Sequence, residues 1–381
     1  MAKAIYVGVG SKARKMKKAY IGIGGKARKV KKMYIGVGGK ARLCYSAELE
    51  YVGTATALSA ARYGVRTATV GSYAVFAGGE GLFDDGNGMH HFDCVSTVDA
   101  YNASLTNSTP TALSVARYGH AAATIGSHAL FAGGATAVKL DYKDFANTVD
   151  AYSTSLTRSS AAVLSIARYR MGAAVVGSYA LFAGGTKDGA NSNSVPGENA
   201  VDVYNASLTR MTARGLREYR ADVRGASVGS YAIFAGGTAY GTIVDVYDAS
   251  LTRTTASDLH SAKNNDSAAT IGNYAIFAGD STADVYNASF TKTTVALLSV
   301  ARINMSAGTV GDYALFAGGN TDSSYSDVVD ACDTSLTRTT ATTLSDSRRY
   351  LSSATVGDYL LFAGGYKGGI NISRVVDVYT A

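Results

Sequence analysis

The chain has 381 residues, of which 47% are apolar, 17% are charged and 43 are Gly, with two Pro, three Cys and no Trp. Collagen would need Gly at every third place, a disulfide scaffold many cysteines, and a disordered chain far fewer apolar residues, so all three are excluded. The net charge of +7 averages two unlike parts: residues 1–42 hold ten Lys, three Arg and no acid, which is +13, and the other 23 basic and 29 acidic residues give −6. No stretch reaches the roughly 18 apolar residues of a membrane span, and residues 1–8 lack a secretory apolar core, which predicts synthesis in the cytoplasm and no membrane insertion. Cys44, Cys94 and Cys332 stand far apart in no CxxC pair, so they predict free thiols rather than a framework or a zinc site.

At the N-terminus a 14-residue period recurs, with Tyr6, Tyr20 and Tyr34 in register and Lys-Ala-Arg closing each copy. Ile35 and Val37 alternate with Tyr34, Gly36 and Gly38 at the period of a strand, and Gly24-Gly25 and Gly38-Gly39 read as turns. Three such strands make about 40 residues, near the size below which a domain needs help to fold. Residues 1–45 are therefore expected to form a basic β-repeat anchor supported by a larger partner or by symmetry mates, with a homo-oligomer, trimer favoured. Lys12, Lys15, Lys17 and Lys18 alternate with Tyr, but no nucleic-acid module surrounds them. Solvated strand faces, or a counter-charge to an acidic docking partner, account for them, and no nucleic-acid partner is expected.

From residue 46 onward a second unit repeats seven times. Phe-Ala-Gly-Gly begins at Phe76, Phe131, Phe182, Phe234, Phe316 and Phe362, and as Phe-Ala-Gly-Asp at Phe277. Fourteen places earlier stands a base: Arg62, Arg117, Arg168, Arg220, Lys263, Arg302 or Arg348. A strand with an acid follows each anchor, at Asp99, Asp150, Asp202, Asp245, Asp284, Asp330 and Asp377. In the second unit four short strands are predicted, over 120–125, 128–134, 148–152 and 157–164. Evenly spaced short strands with turn residues between them predict an all-β, seven-bladed β-propeller over residues 46–381. Ser-Leu-Thr or Ser-Phe-Thr marks a fourth strand six times, but the chain stops soon after Tyr379. Residues 54–62 match 340–348, so the segment 50–58 is expected to complete the last blade and close the ring.

Leu113-Ser-Val-Ala-Arg-Tyr-Gly-His120, Phe131-Ala-Gly-Gly134 and Val149-Asp-Ala-Tyr152 resemble the kelch repeat. Kelch units usually carry a Trp in the fourth strand, where this chain uses small residues such as Thr254 and Thr255, so kelch ubiquitin-ligase or actin partners are not carried over. The N-terminal Tyr-Ile-Gly-Val-Gly-Gly-Lys-Ala-Arg repeats resemble segments that open tail and tail-fibre-like proteins of phages and prophages of Firmicutes-type bacteria. That resemblance implies a virion part, assembled in the host cytoplasm, which docks on other tail proteins through residues 1–45.

Because bases and acids recur in every blade, most are expected to form structural hydrogen bonds or ion pairs within and between blades. Gly-Gly followed by no helix reads as a close backbone approach rather than a phosphate cradle. What differs between blades carries the function. In an antiparallel blade the start of the first strand and the end of the second lie at one end, so residues after each base should converge with the loops after Gly-Gly. The candidate ligand-binding face is Tyr63, Tyr118, His120, Tyr169, Arg170, Asn264, Asn265, Asn304, Arg349 and Tyr350, with Asp84, Asp85 and Tyr142 from the long loops. The expected function is non-enzymatic binding of a bacterial surface glycan or protein, with no catalytic residue, metal or other cofactor. The alternatives are an intracellular kelch interaction scaffold and a carbohydrate-active or copper enzyme, since some kelch-like propellers are copper oxidases. For the latter, His90 and His91 lie in an acidic loop over 84–94, but adjacent histidines on a strand point oppositely and match no standard site.

Overall fold

A computed structural model describes the chain apart from residues 1–5, 10–11, 16–18, 24–25, 31, 38–39, 47, 85, 137–143, 188–196, 239–240 and 263–266. In the second repeat, Ala121–Ile125, His128–Ala132, Val149–Ser153 and Arg158–Ser160 pair in that order, all antiparallel. The first strand alternates: Ala121, Ala123 and Ile125 are buried, Ala122 and Thr124 half-exposed, because one face meets a neighbouring sheet. Ala129–Ala132 of the second strand is buried throughout, as its run of apolar residues requires. The turn from third to fourth strand uses a short polar side chain as backbone substitute: in the first repeat Asn102 Oδ1 accepts from the amides of Ser104 and Thr106, 2.9 and 3.1 Å away. Asn205, Asp248, Asn287 and Asp333 do the same, so the Asn-Ala-Ser triplets are turn formers.

Seven such four-stranded sheets follow around the ring, and their first strands are Arg66–Val70, Ala121–Ile125, Gly172–Val176, Arg224–Val228, Ser267–Ile271, Ser306–Val310 and Ser352–Val356, in blades 1 to 7. All seven line one central channel. Between adjacent blades lie seven separate apolar cores, each built from both neighbours. One of them joins Leu361 and Val378 of blade 7 to Phe76 and Tyr101 of blade 1.

Glu50–Thr54 forms the outer strand of the seventh sheet, beside Val376–Thr380. The strand is shorter than the predicted 50–58, although the amides of Ala55 and Leu58 still donate to the carbonyls of Val376 and Arg374. Tyr51 donates its hydroxyl to Asp377 at 2.7 Å, and burial together with that carboxylate pushes the phenol up to about 12. Each N-terminal repeat is a hairpin of two strands rather than the single strand expected: Tyr6–Val9 with Lys12–Lys15, Tyr20–Ile23 with Lys26–Lys29, and Lys32–Val37 with Lys40–Ser46. The Lys-Ala-Arg segment folds back after the glycines instead of leaving the sheet.

The bases and acids form ion pairs within each blade where both are described. Six pairs are described, at 2.5–2.8 Å, with no exposed arginine and at most 1% exposure of the aspartate; Lys263 of the seventh lies outside the described residues. Each aspartate is a hub. Asp150 also receives the Ser114 amide and hydroxyl from the segment that enters the blade, and Arg158 from the outer strand. Buried charges persist when their lone pairs are filled in this way.

Candidate functional site

The candidate face is built where the entering segment meets the end of the second strand. The residue after each base pairs with the residue after Gly-Gly: Tyr63 with Glu80, Tyr118 with Ala135, Tyr169 with Thr186, and Arg349 with Tyr366. Gly-Gly serves close approach, because a Cβ on Gly78 would lie 2.7 Å from the Arg117 carbonyl, and one on Gly79 2.5 Å from that of Tyr63.

Two places after the base the backbone turns left-handed in all six described blades: Gly64, Gly119, Arg170, Asp222, Asn304 and Tyr350 have φ between 54° and 63°. Backbone bonds join these positions around the channel mouth, with the Gly64 amide donating to Tyr350, Tyr350 to Asn304, Asp222 to Arg170 and Arg170 to Gly119. A side chain in this conformation costs roughly 1–2 kcal/mol, so Arg170 and Tyr350 are held against local preference, as are Leu105, Leu156, Leu208, Leu251, Phe290 and Leu336 in the turns from third to fourth strand. Glycine stands at two of the six places: a Cβ on Gly64 would meet the Tyr118 ring at 2.2 Å, and one on Gly119 would press on the Tyr169 ring at 3.1 Å.

Tyr118 occupies the mouth. Burial pushes its phenol up, Glu80 and Tyr350 act in the same direction, and Arg170 and Arg66 oppose them. Tyr63 lies with its ring centroid 6.1 Å from those of Tyr118 and Tyr350 and 5.4 Å from those of Phe92 and Tyr366. Its hydroxyl donates to Glu80, whose carboxyl burial raises to about 7 despite that bond. Arg349 stands over the rings of Tyr350, Tyr366 and Tyr325 at 4.8, 5.2 and 5.4 Å. Arg170 pairs with Asp222 at 3.4 Å, and Arg66 and Arg224 line the channel immediately inside the rim.

Of the predicted residues, Tyr63, Tyr118, Arg170, Arg349 and Tyr350 meet at the mouth. Tyr169 does not present itself: it is fully buried, stacked on Phe145 at 5.0 Å and packed over Gly119. His120 is likewise fully buried behind the rim against Phe131, and burial beside Arg117 and Arg66 holds its pKa well below the usual value, so the imidazole is neutral core. Asn304 stands on the rim but is 7% exposed, its amide donating to Asn320. Asp84 is exposed at the tip of the hairpin Glu80–Asp84/His90–Cys94, paired with His90 and two residues beyond the Leu82–Phe92 pair, whose Phe reaches Tyr63. Asn264, Asn265, Asp85 and Tyr142 lie outside the described residues.

Glu80, Phe92, Tyr325, Tyr366, Arg66, Asp222 and Arg224 complete the mouth and were not predicted. Repeat alignment held the signal for most of them. Glu80 and Tyr366 directly follow Gly-Gly, Asp222 stands two places after its base, and Arg66 and Arg224 stand four places after theirs. Phe92 and Tyr325 arrive from variable loops with no such signal. Among the described residues no group of three His, Cys, Asp or Glu is close enough to hold a metal.

Ring, channel and rim together define a seven-bladed β-propeller. The solved structure of YjhT is similar, with a TM-score of 0.54 at 13% identity over 71% of this chain and 96% of that one, a likeness of fold. No protein-family model matches the chain. None of the curated proteins matches it by sequence.

Proposed function

We propose that this chain is a kelch-type, non-enzymatic receptor-binding protein of a phage tail or tail-like particle. Its channel mouth recognises a bacterial surface component, and residues 1–45 attach it to other tail proteins as a homo-oligomer. One observation supports the binding role above others: beneath the rim every described blade repeats the same ion pair, whereas the left-handed rim positions carry Gly, Gly, Arg, Asp, Asn and Tyr. Repetition serves the ring; departure from it at a concave mouth serves a ligand. The +13 charge of residues 1–42 supports a separate attachment role. The test is binding of the labelled full chain to a panel of Firmicutes cells. Binding that falls at least tenfold in Tyr118→Ala and persists when N-terminal lysines are neutralised supports the reading. The opposite pattern, or no binding to any cell, removes it.

A further inference from the structure

The channel wall contains two arginines where its symmetry calls for small residues. The first residue of the innermost strand is Arg66 in blade 1 and Arg224 in blade 4, but Ala121, Gly172, Ser267, Ser306 and Ser352 elsewhere. Blades 1 and 4 face each other across most of the ring, so the two side chains border a cavity of about 260 Å³ that the small residues leave open. Arg66 is fixed there by its Nε bond to the His120 carbonyl at 2.7 Å. Burial disfavours its charge, and Arg224 and Arg170 add to that, while Asp222 offsets them. Three guanidinium groups thus share one mouth with Asp222 and with Glu80, whose carboxyl burial pushes up to about 7. Like charges gathered in a partly desolvated cleft attract a compact anion.

The rest of the lining selects what carries that anion. The hydroxyls of Thr67, Ser353 and Ser267 already donate to the carbonyls of Ser353, Ala307 and Met305, at 2.5 to 2.6 Å. Their protons are committed, so they offer lone pairs that accept from ligand hydroxyls and repel a second anion. Tyr118, in edge contact with Tyr63, lies near enough to Arg66 to act on its charge, which sets an aromatic ring beside the guanidinium at the mouth.

We propose that the mouth binds an acidic saccharide, with its carboxylate or phosphate on Arg66 and Arg224, its ring against Tyr118, and its hydroxyls on the Ser and Thr oxygens. The proposal rests on the receptor-binding reading and specifies its ligand. Calorimetric titration of the full chain with an oligogalacturonate, a poly(glycerol phosphate) and a neutral oligogalactan tests it. At least one acidic probe binds, more weakly as salt rises, and the neutral one does not; which acid binds separates carboxylate from phosphate. Arg224→Ala weakens the acidic probe roughly 10- to 100-fold, as loss of a charged hydrogen bond does, and Arg224→Lys recovers part, with melting temperature recorded for both. Equal binding of neutral and acidic probes, no binding of either acid, or salt-insensitive binding to the unaltered chain overturns the proposal. Cell binding without acid binding sinks this inference alone; acid binding without cell binding sinks the receptor reading alone.

Discussion

The layer of buried Arg–Asp pairs and the rim directly above it are built from residues only two places apart in the chain, yet they follow opposite rules. Arg117 and Arg302 share two partners, an aspartate on the third strand and the carbonyl of the Phe that opens Phe-Ala-Gly-Gly. Two residues on, Gly119 and Asn304 share a backbone conformation and nothing else. A contact that holds a blade together must recur in every blade, because each blade solves the same burial problem. A contact that holds a ligand has no such duty. Side-chain variety on a uniform backbone is therefore the mark that separates recognition from architecture here.

The sharpest way to break this comparison is at the buried layer. Arg302→Met leaves Asp330 charged and buried, and an expected loss of about 3–5 kcal/mol in urea unfolding should be matched by Arg117→Met. Unequal losses would mean that the blades are not equivalent. A somewhat smaller effect is expected from Glu80, which belongs to the rim. Its carboxyl is held near 7 against an ordinary 4.5, so the neutral form is the one the fold favours. Stability from this group is complete below about pH 4.5 and is lost as pH rises through 7, by about 3 kcal/mol, and Glu80→Gln flattens that slope in unfolding followed across pH. Tyr51→Phe removes the bond that ties the closing strand to Asp377 and should cost about 2 kcal/mol, seen as a lower urea midpoint. The smallest stability change separates the two regions best. Arg170→Gly relieves a left-handed side chain but leaves the buried Asp222 without that pairing, so the two effects oppose each other and the net change in stability should stay within about 1 kcal/mol. The same variant should lose ligand affinity, which no substitution in the buried layer would do without unfolding.

Much of the fold was legible because its signals are local. Ala121–Ile125 announces a strand by alternation, Phe-Ala-Gly-Gly announces a strand end, and the count of fourth strands pointed to the N-terminal segment that Glu50–Thr54 supplies. The site was legible in part. Tyr63, Tyr118 and Arg349 follow their bases and reach the mouth, but His120 and Tyr169 carry the same chemistry at nearby positions and end in the core. Polarity alone does not separate them. His120 stands one place past the left-handed Gly119, where the chain has already turned into the blade interface, and Tyr169 is covered because Phe145 stacks on it. The N-terminal repeats misled in a different way: a Lys-Ala-Arg segment carries no strand periodicity, yet Lys26–Lys29 pairs antiparallel with Tyr20–Ile23.

By itself the sequence determined the repeat, the number of blades, the recurrence of a base and an acid in each unit and the split between a +13 segment and a −6 ring. All of these depend on spacing and composition within stretches of some tens of residues. Only the tertiary structure decided which side chains share the channel mouth. Arg66, Arg170 and Arg224 lie in three different blades, and their proximity follows from ring closure and from the sign of φ at the rim. Neither property belongs to any local stretch of chain, because a non-glycine residue gives no local sign that its backbone will be held left-handed by the blades on either side.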